Sequence, residues 1–178
     1  QALLGPPSWE EAERRLLESG LSPKEAQALS PLPGPLPGPR AAWGALQTDL
    51  TLLCPSFQAA RLQAPHAPTY AYLFSFRVPG FEGLGAFHGL ELAPLFGNLE
   101  AMPFLPLFLG EEARGQAEYL GRKMRRYWTA FAKEGEPSGW PRWPRYREGL
   151  VLRLDVPVGL LPDPYAERCG ALEGLGLL

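Results

Sequence analysis

The sequence lacks the features that mark several classes of protein. No apolar run approaches the length of about 20 residues that a membrane-spanning helix needs. The net charge is -2, so the basic surface typical of nucleic-acid-binding proteins is missing. The first residues contain neither a basic stretch nor a cleavage site, so no signal peptide is recognised. We therefore expect a cytoplasmic protein with no membrane or nucleic-acid partner.

Several amino acids are rare or absent. Isoleucine does not occur, asparagine occurs only at Asn98, and arginine outnumbers lysine by 14 to 3. In contrast, the chain has 21 prolines and 20 glycines, which predicts many rigid loops between its helices and strands. Few amides and many loop prolines are typical of proteins from thermophiles. A GC-rich genome would produce much of the same composition, so both explanations stay open.

Cysteine and histidine are too sparse for a metal site. Cys54 and Cys169 lie 115 residues apart and no C-x-x-C pair occurs, which excludes the usual zinc and redox motifs. His66 and His88 are not accompanied by clustered acids, so we expect no metal ion and no other cofactor. Two buried free thiols are the favoured interpretation of the cysteines, and a disulfide between them is the alternative.

The N-terminal part predicts a helical hairpin and a connector. Residues 8–19 begin with Ser8, a favourable N-cap, and Gly20 ends this helix. A second short helix follows, with Ser22 as its cap. The prolines of residues 30–40 are too dense for helix or sheet, so this segment is interpreted as a stiff connector.

The rest of the chain predicts alternating helices and strands. Residues 41–63 and 111–133 carry apolar side chains at spacings of three and four, which is typical of amphipathic helices. Pro55 should kink or shift the first of them. Residues 70–78 and 149–156 have the composition of strands, and the tail suggests a last helix. This order indicates an α/β fold, but two strands are too few to cover such helices.

One histidine lies in the apolar loop "GAFHGLELAPLFGN", residues 85–98. His88 stands between Gly85 and Gly89, and Glu91 follows three positions later. Glycines allow a tight backbone turn that presents a side chain to a cleft. On these residues alone, a lone histidine in an apolar loop is more often structural than catalytic.

The loop resembles the histidine loop of type B carboxylesterases, the α/β-hydrolase family that includes cholinesterases and bacterial p-nitrobenzyl esterases. Three more segments resemble that family in the same order: "TDLTLLCPSFQAARLQA", "TYAYLFSFR" and "RRYWTAFAKEGEPSGWPRWPRY". The resemblance covers roughly residues 41–156. It implies the C-terminal part of an α/β-hydrolase fold, with few strands, several amphipathic helices, Pro/Gly-rich loops and an incomplete sheet. Residues 1–178 would then form a single segment, divided into the hairpin and connector (1–40) and the histidine-bearing core (41–178).

The resemblance also implies roles for individual residues. His88 would be the general base of a serine carboxylesterase, which takes the proton of the nucleophilic serine and returns it to the leaving alcohol. Glu91 matches an acidic residue that holds water near the site and is not the triad acid. Phe87, Leu92 and Leu95 are expected to form part of one wall of the substrate pocket.

The same resemblance bears on the cysteines. Vertebrate cholinesterases have a disulfide between the corresponding helix and the C-terminal helix. The resemblance therefore implies, at a weakly matching tail, a pairing of Cys54 with Cys169.

The other parts of a serine esterase are not found in residues 1–178. None of the seven serines lies in a Gly-x-Ser-x-Gly elbow. Ser22 comes nearest, but Pro23 stands where the elbow's next residue must supply an oxyanion N–H. No Gly-Gly-Gly oxyanion loop occurs, and the triad acid is expected before Gln1.

We therefore predict a fragment of a serine esterase that hydrolyses no ester alone. Its expected partner is the missing N-terminal part of the hydrolase or a second copy of itself, and the complete enzyme would act on a small-molecule ester. The alternatives are a non-catalytic binding module of the same family and a small α/β domain of unrelated function. The unrelated domain would unfold cooperatively, whereas a fragment would expose apolar patches and associate.

Overall fold

A computed structural model describes four ranges of the chain: residues 5–29, 38–80, 85–101 and 110–178. Most of the predicted connector, residues 30–37, lies outside them. Contacts group the chain into two compact units, Gln1–Ala59 with Tyr165–Leu178 and Ala60–Pro164. This grouping cuts across the predicted division at residue 40.

The first unit begins with a helical hairpin, α1 (Trp9–Glu18) and α2 (Pro23–Leu29), as the sequence predicted. The Ser8 hydroxyl accepts a hydrogen bond of 3.2 Å from the backbone N–H of the third residue of α1. Ser22 and Glu25 form a reciprocal pair in α2. The Ser22 hydroxyl accepts from the Glu25 N–H at 3.3 Å, and the Glu25 carboxylate accepts from the Ser22 N–H at 2.7 Å. These caps explain why both helix starts could be predicted locally.

The helical stretch predicted from residue 41 is continuous but not regular. Helix α3 (Pro39–Thr48) passes through a wider π-helical turn (Asp49–Leu53) into α4 (Cys54–Gln63). Pro55 lacks the N–H that would bond to the carbonyl four residues earlier, and the wider turn ends two residues before it. The expected disturbance by Pro55 is therefore present as a local widening of the helix.

The last helix, α7 (Ala166–Gly174), is joined to this stretch by a disulfide between Cys54 and Cys169. Both cysteines are fully buried within the apolar core of the first unit. The favoured interpretation as two free thiols is therefore corrected, and the pairing that the family resemblance implied is present. An apolar environment suits a thiol and a disulfide equally, so local sequence could not distinguish them.

An ion pair links the same two parts of the first unit. The Arg168 guanidinium on α7 contacts the carboxylate of Asp49, which lies in the π-helical turn and is 3% exposed. Burial raises the pKa of Asp49, while the charge of Arg168 acts to lower it. Removing one member of a buried pair leaves the other charge uncompensated, so both residues are expected to tolerate substitution poorly.

The second unit contains a three-stranded sheet in the order β1–β2–β3. Strand β1 (Tyr72–Phe74) is parallel to β2 (Leu150–Leu154), and β2 is antiparallel to β3 (Gly159–Pro162). The strand predicted over residues 149–156 is confirmed, whereas only three residues of 70–78 pair as a strand. β3 was not predicted, because the glycine and proline at its ends disfavour strands in isolation.

Helix α6 (Glu111–Glu134) supplies most of the helical side of this unit's core. It ends at Gly135, whose φ of 74° fits the predicted C-cap. On its predicted apolar face Trp128 is half-buried, Phe131 is 48% exposed, and the other four residues are buried: Ala117, Leu120, Met124 and Tyr127. The largest fully buried side chains of the unit come from α6, β2, the histidine loop and the segment after β1: Phe76, Leu90, Leu120, Met124, Tyr127, Val151, Leu152 and Leu154.

Tyr127 combines a buried ring with one polar contact. Its hydroxyl donates to the Pro141 carbonyl at 2.5 Å, and burial raises its pKa to about 12. We expect Tyr127→Phe to preserve the packing and lower the free energy of unfolding by about 1 to 2 kcal/mol, because the carbonyl loses its partner. Urea denaturation measures this, with Tyr119→Phe on the same helix as the control. Equal stability of the two variants would show that the hydrogen bond contributes nothing.

Candidate functional site

Residues 87–91 form a tight turn, here named the histidine turn, that carries His88 at the surface. The N–H of Leu90 donates to the carbonyl of Phe87 at 3.1 Å and closes the turn. Gly89 has a φ of 84°, a conformation that side chains with a Cβ rarely adopt. The Leu90 side chain is fully buried. The buried Leu90 side chain therefore anchors the turn, while His88 is exposed to solvent.

The His88 imidazole is exposed and makes no hydrogen bond or ion pair with any residue that the structure describes. A polar side chain kept for structural reasons is usually buried and hydrogen-bonded. The ring is therefore positioned by the backbone of its turn, with no hydrogen bond to a side chain in the described ranges. Such a ring can exchange a proton with a group that lies beyond the described residues.

Glu91 is half-buried at the end of the histidine turn. Burial raises the pKa of the Tyr72 hydroxyl on β1, and the negative charge of Glu91 raises it further. Tyr72 in turn packs edge-on against Trp128 and Trp143, with ring centroids 5.2 and 5.9 Å away. Glu91 thus lies near an aromatic cluster, and no hydrogen bond joins its carboxylate to the His88 ring.

The three predicted pocket residues differ in their surroundings. Phe87 and Leu95 are half-buried and pack against the core of the second unit. Leu92 is 49% exposed, and Phe96 at the end of the same helix is 75% exposed. The described residues therefore provide an apolar surface next to His88 but do not enclose it, and a common wall formed by all three stays a prediction.

Helix α5 (Leu92–Phe96) follows the histidine turn and is held against α6. Nη1 of Arg125 donates to the carbonyls of Pro94 and Leu95 at 2.7 and 3.0 Å. Gly121 lies one turn earlier on α6, where an added Cβ would come within 2.0 Å of the Pro94 oxygen. Helical periodicity placed Arg125 outside the apolar face, so neither contact was predicted. The sequence offered one signal for this contact, a glycine (Gly121) four residues before an arginine (Arg125) on the same helix.

Replacing Gly121 with alanine should force α5 and α6 apart. The atom that the new Cβ would meet belongs to the backbone of Pro94 and cannot rotate away. We expect a loss of about 1 to 3 kcal/mol in the free energy of unfolding, the usual cost of overpacking. The matched control is Gly115→Ala on the same helix, where nothing lies within 4 Å of the new Cβ. Urea denaturation should show no loss for the control, and equal losses in both variants would contradict the close approach.

A surface cleft of about 410 Å³ lies elsewhere in the second unit and shares no residue with the histidine turn. Within it the Tyr146 hydroxyl donates to the Asp163 carboxylate at 2.5 Å, so these two polar groups bond to each other. His66 is exposed in the turn after α4 and lines a neighbouring hollow of about 150 Å³. Neither depression has a histidine next to a glycine turn, so the histidine turn remains the candidate site.

Two kinds of feature do not occur in the four described ranges. No three His, Cys, Asp or Glu side chains there are arranged to hold a metal ion. No helix within the same ranges combines the length and apolar character required to cross a bilayer.

A family model and individual relatives both match the chain to carboxylesterases. Residues 39–169 match the family model described as the carboxylesterase family. The para-nitrobenzyl esterase of Bacillus subtilis (strain 168) is 32% identical over 126 residues, which cover 69% of this chain and 25% of the relative. The cocaine esterase of Homo sapiens is 30% identical over 130 residues, which cover 67% of this chain and 22% of the relative.

A solved structure agrees with these relatives. The carboxylesterase Est55 of Geobacillus stearothermophilus superimposes with a TM-score of 0.69 and 26% identity, covering 93% of this chain and 36% of its own. The chain therefore spans about a quarter of the length of the curated relatives and about a third of the solved structure.

Proposed function

Because the chain belongs to the carboxylesterase family and has the fold of part of an α/β-hydrolase, we propose that it supplies the general-base histidine of a serine carboxylic-ester hydrolase. The observation that carries this proposal is the exposed imidazole of His88 on an anchored turn. In the reaction, the ring takes the proton of the serine as it attacks the ester, and returns it to the leaving alcohol. The acyl-serine is then hydrolysed by water in the same way.

The nucleophile, the oxyanion N–H donors and the triad acid come from polypeptide beyond residues 1–178. In the described ranges, β1 pairs with β2 on one side and with no strand on the other. A parallel strand in that position exposes a row of N–H and C=O groups, and parallel sheets are normally covered on both faces. The second unit also exposes large apolar side chains that such a cover would bury: Tyr72, Leu92, Phe96, Phe131 and Leu160. The proposed partner is therefore the rest of the hydrolase fold.

The sequence encoded in frame before Gln1 tests this proposal directly. We expect a Gly-x-Ser-x-Gly segment there, followed by an acidic residue and then by His88, the chain order of this fold. A segment in which another residue replaces the serine would instead support a non-catalytic binding module. A reading frame that begins near Gln1, with no such segment, would contradict the proposal.

Residues 1–178 alone should not hydrolyse p-nitrophenyl esters above the rate of the buffer. The physical reason is that the loss of the nucleophile alone lowers kcat by about 10⁶-fold. Release of p-nitrophenol measures this, with heat-denatured chain as the control. Turnover by the isolated chain that disappears in His88→Ala would show that a nucleophile is present after all.

A further inference from the structure

We propose that Arg125 is a positioning residue for His88: it binds the carbonyl end of α5 and thereby fixes the histidine turn against α6. This inference rests on the proposed role of His88 as the general base. It assigns a function to a side chain that neither the sequence pattern nor the family resemblance singled out.

The histidine turn and α5 form one hydrogen-bonded segment. The Leu92 N–H donates to the Gly89 carbonyl at 3.1 Å, and the Leu95 N–H donates to the Glu91 carbonyl at 3.0 Å. The backbone that carries His88 therefore runs into the first turn of α5 without a flexible link. Any displacement of α5 along or around its axis must displace His88 as well.

Helix α5 cannot hold its own position, because it has only five residues. Isolated helices shorter than about 12 residues are marginal in water, so tertiary contacts must fix it. Its last carbonyls are only partly satisfied by the backbone: the Gly97 N–H donates to the Pro94 carbonyl at 3.2 Å, and the Asn98 N–H donates to the Ala93 carbonyl at 3.0 Å. Arg125 donates to two of them, at Pro94 and Leu95, and its positive charge also suits the negative end of the helix. The guanidinium therefore adds a second cap, from another helix, to the one that the backbone of Gly97 and Asn98 forms.

The surroundings are built to admit this side chain. Gly97 ends α5 with a φ of 68°, and a Cβ there would make only an ordinary contact with Nη1 of Arg125, whereas a Cβ at Gly121 would come within 3.1 Å of the same nitrogen. Gly121 allows the backbones of α5 and α6 to meet closely enough for the guanidinium to reach both carbonyls. In contrast, Arg122 and Arg126 on the same helix are exposed. The contact is therefore specific to the arginine at position 125.

A general base must lie within about 3 Å of the proton that it takes. A displacement of about 1 Å caused far from the chemistry can cost about 10²-fold in rate. Loss of the Arg125 cap should therefore impair the chemical step. The apolar contacts of Leu92 and Leu95, the predicted pocket residues on α5, tolerate such a shift better than proton transfer does, so substrate binding should change little.

The first test uses the complete reading frame that contains residues 1–178. Arg125→Met should lower kcat for a p-nitrophenyl ester by about 10- to 100-fold and leave KM within about twofold. Arg125→Lys should recover part of kcat, because an ammonium can still donate to one of the carbonyls. Arg122→Met is the control and should keep full activity. An unchanged kcat in Arg125→Met, or a rise in KM without a fall in kcat, would overturn the inference.

The second test does not depend on catalysis. Hydrogen exchange followed by mass spectrometry on the same proteins should show faster exchange of residues 92–98 in Arg125→Met and unchanged exchange in the middle of α6. Arg125→Lys, expected to be intermediate, serves in this measurement if the methionine variant does not fold. Unchanged exchange of residues 92–98 in the tested variant overturns the positioning role, whatever His88 does. Full activity of His88→Ala would instead overturn the proposed function. The conclusion from hydrogen exchange, that Arg125 fixes α5, would not be affected.

Discussion

Replacing His88 with alanine should abolish ester hydrolysis by the complete reading frame that contains residues 1–178. The serine then has no acceptor for its proton, and the leaving alcohol has no donor. The loss of one member of a catalytic triad lowers kcat by about 10⁴- to 10⁶-fold. Initial rates with a p-nitrophenyl ester at several substrate concentrations measure kcat and KM separately. Most of the effect should appear in kcat, because the base acts on the transition state.

The same substitution at the chain's other histidine is the matched control. His66 is also exposed, but it lies in the turn after α4 and far along the chain from the histidine turn. His66→Ala should therefore keep full activity. Because both side chains are exposed, neither substitution should change the free energy of unfolding by more than about 0.5 kcal/mol. An active His88→Ala enzyme, or equal losses in the two variants, would contradict the assignment of the base.

A smaller effect is expected at Glu91, and the geometry explains why. Its carboxylate lies near Tyr72 and makes no hydrogen bond with the His88 ring. A residue that orders water near a site contributes less than the group that transfers the proton. Glu91→Gln should therefore retain measurable turnover, which separates its role from that of His88.

The parts of the fold that sequence predicted are those determined by neighbouring residues. Helices α1 and α2 begin at Ser8 and Ser22, whose hydroxyls accept hydrogen bonds from N–H groups three residues later. α6 has a regular apolar stripe and a glycine C-cap. Capping and helical periodicity act within a few residues, so a sequence window contains all the necessary information.

The parts that were missed or mistaken depend on distant residues. Strand β1 pairs over only three residues, and its partner β2 comes more than 70 residues later in the chain. β3 forms by antiparallel pairing with the free edge of β2. α5 depends on Arg125, about 30 residues away, which no local pattern around Pro94 could reveal. The candidate site shows the same division: His88 was identified from a family resemblance, and its support on α6 only from the structure.

Removing the disulfide should have the largest effect on stability. Cys54 and Cys169 are 115 residues apart, and in the chain-entropy model closing so long a loop stabilises a protein by about 4 to 5 kcal/mol. The double variant Cys54→Ala, Cys169→Ala keeps the site apolar and removes the cross-link. We expect it to lose about that amount of free energy of unfolding, because its unfolded chain regains the freedom that the bond removes. Urea denaturation of the oxidised proteins measures the difference.

Reduction provides the internal control. Treating the wild-type chain with dithiothreitol should lower its stability to that of the double variant, whereas the variant should not respond. The cysteines are packed among Leu16, Leu46 and Leu172, so the bond should be shielded from reductant until the first unit opens. Two free thiols titrated in the urea-unfolded protein before reduction would contradict the cross-link.

The same thiol titration bears on two expectations from the sequence, a cytoplasmic location and a heat-adapted origin. Cytoplasmic proteins of mesophiles rarely keep structural disulfides, whereas intracellular proteins of hyperthermophiles are often rich in them. A bond found in protein that is alkylated at the moment of cell lysis is therefore hard to reconcile with a mesophilic cytoplasm. It would fit either the heat-adapted origin suggested by the scarcity of asparagine and the abundance of proline, or an oxidising compartment. The melting temperature of the protein encoded by the complete reading frame separates these two, because only the first requires it to lie well above the usual mesophilic range of about 45 to 65 °C.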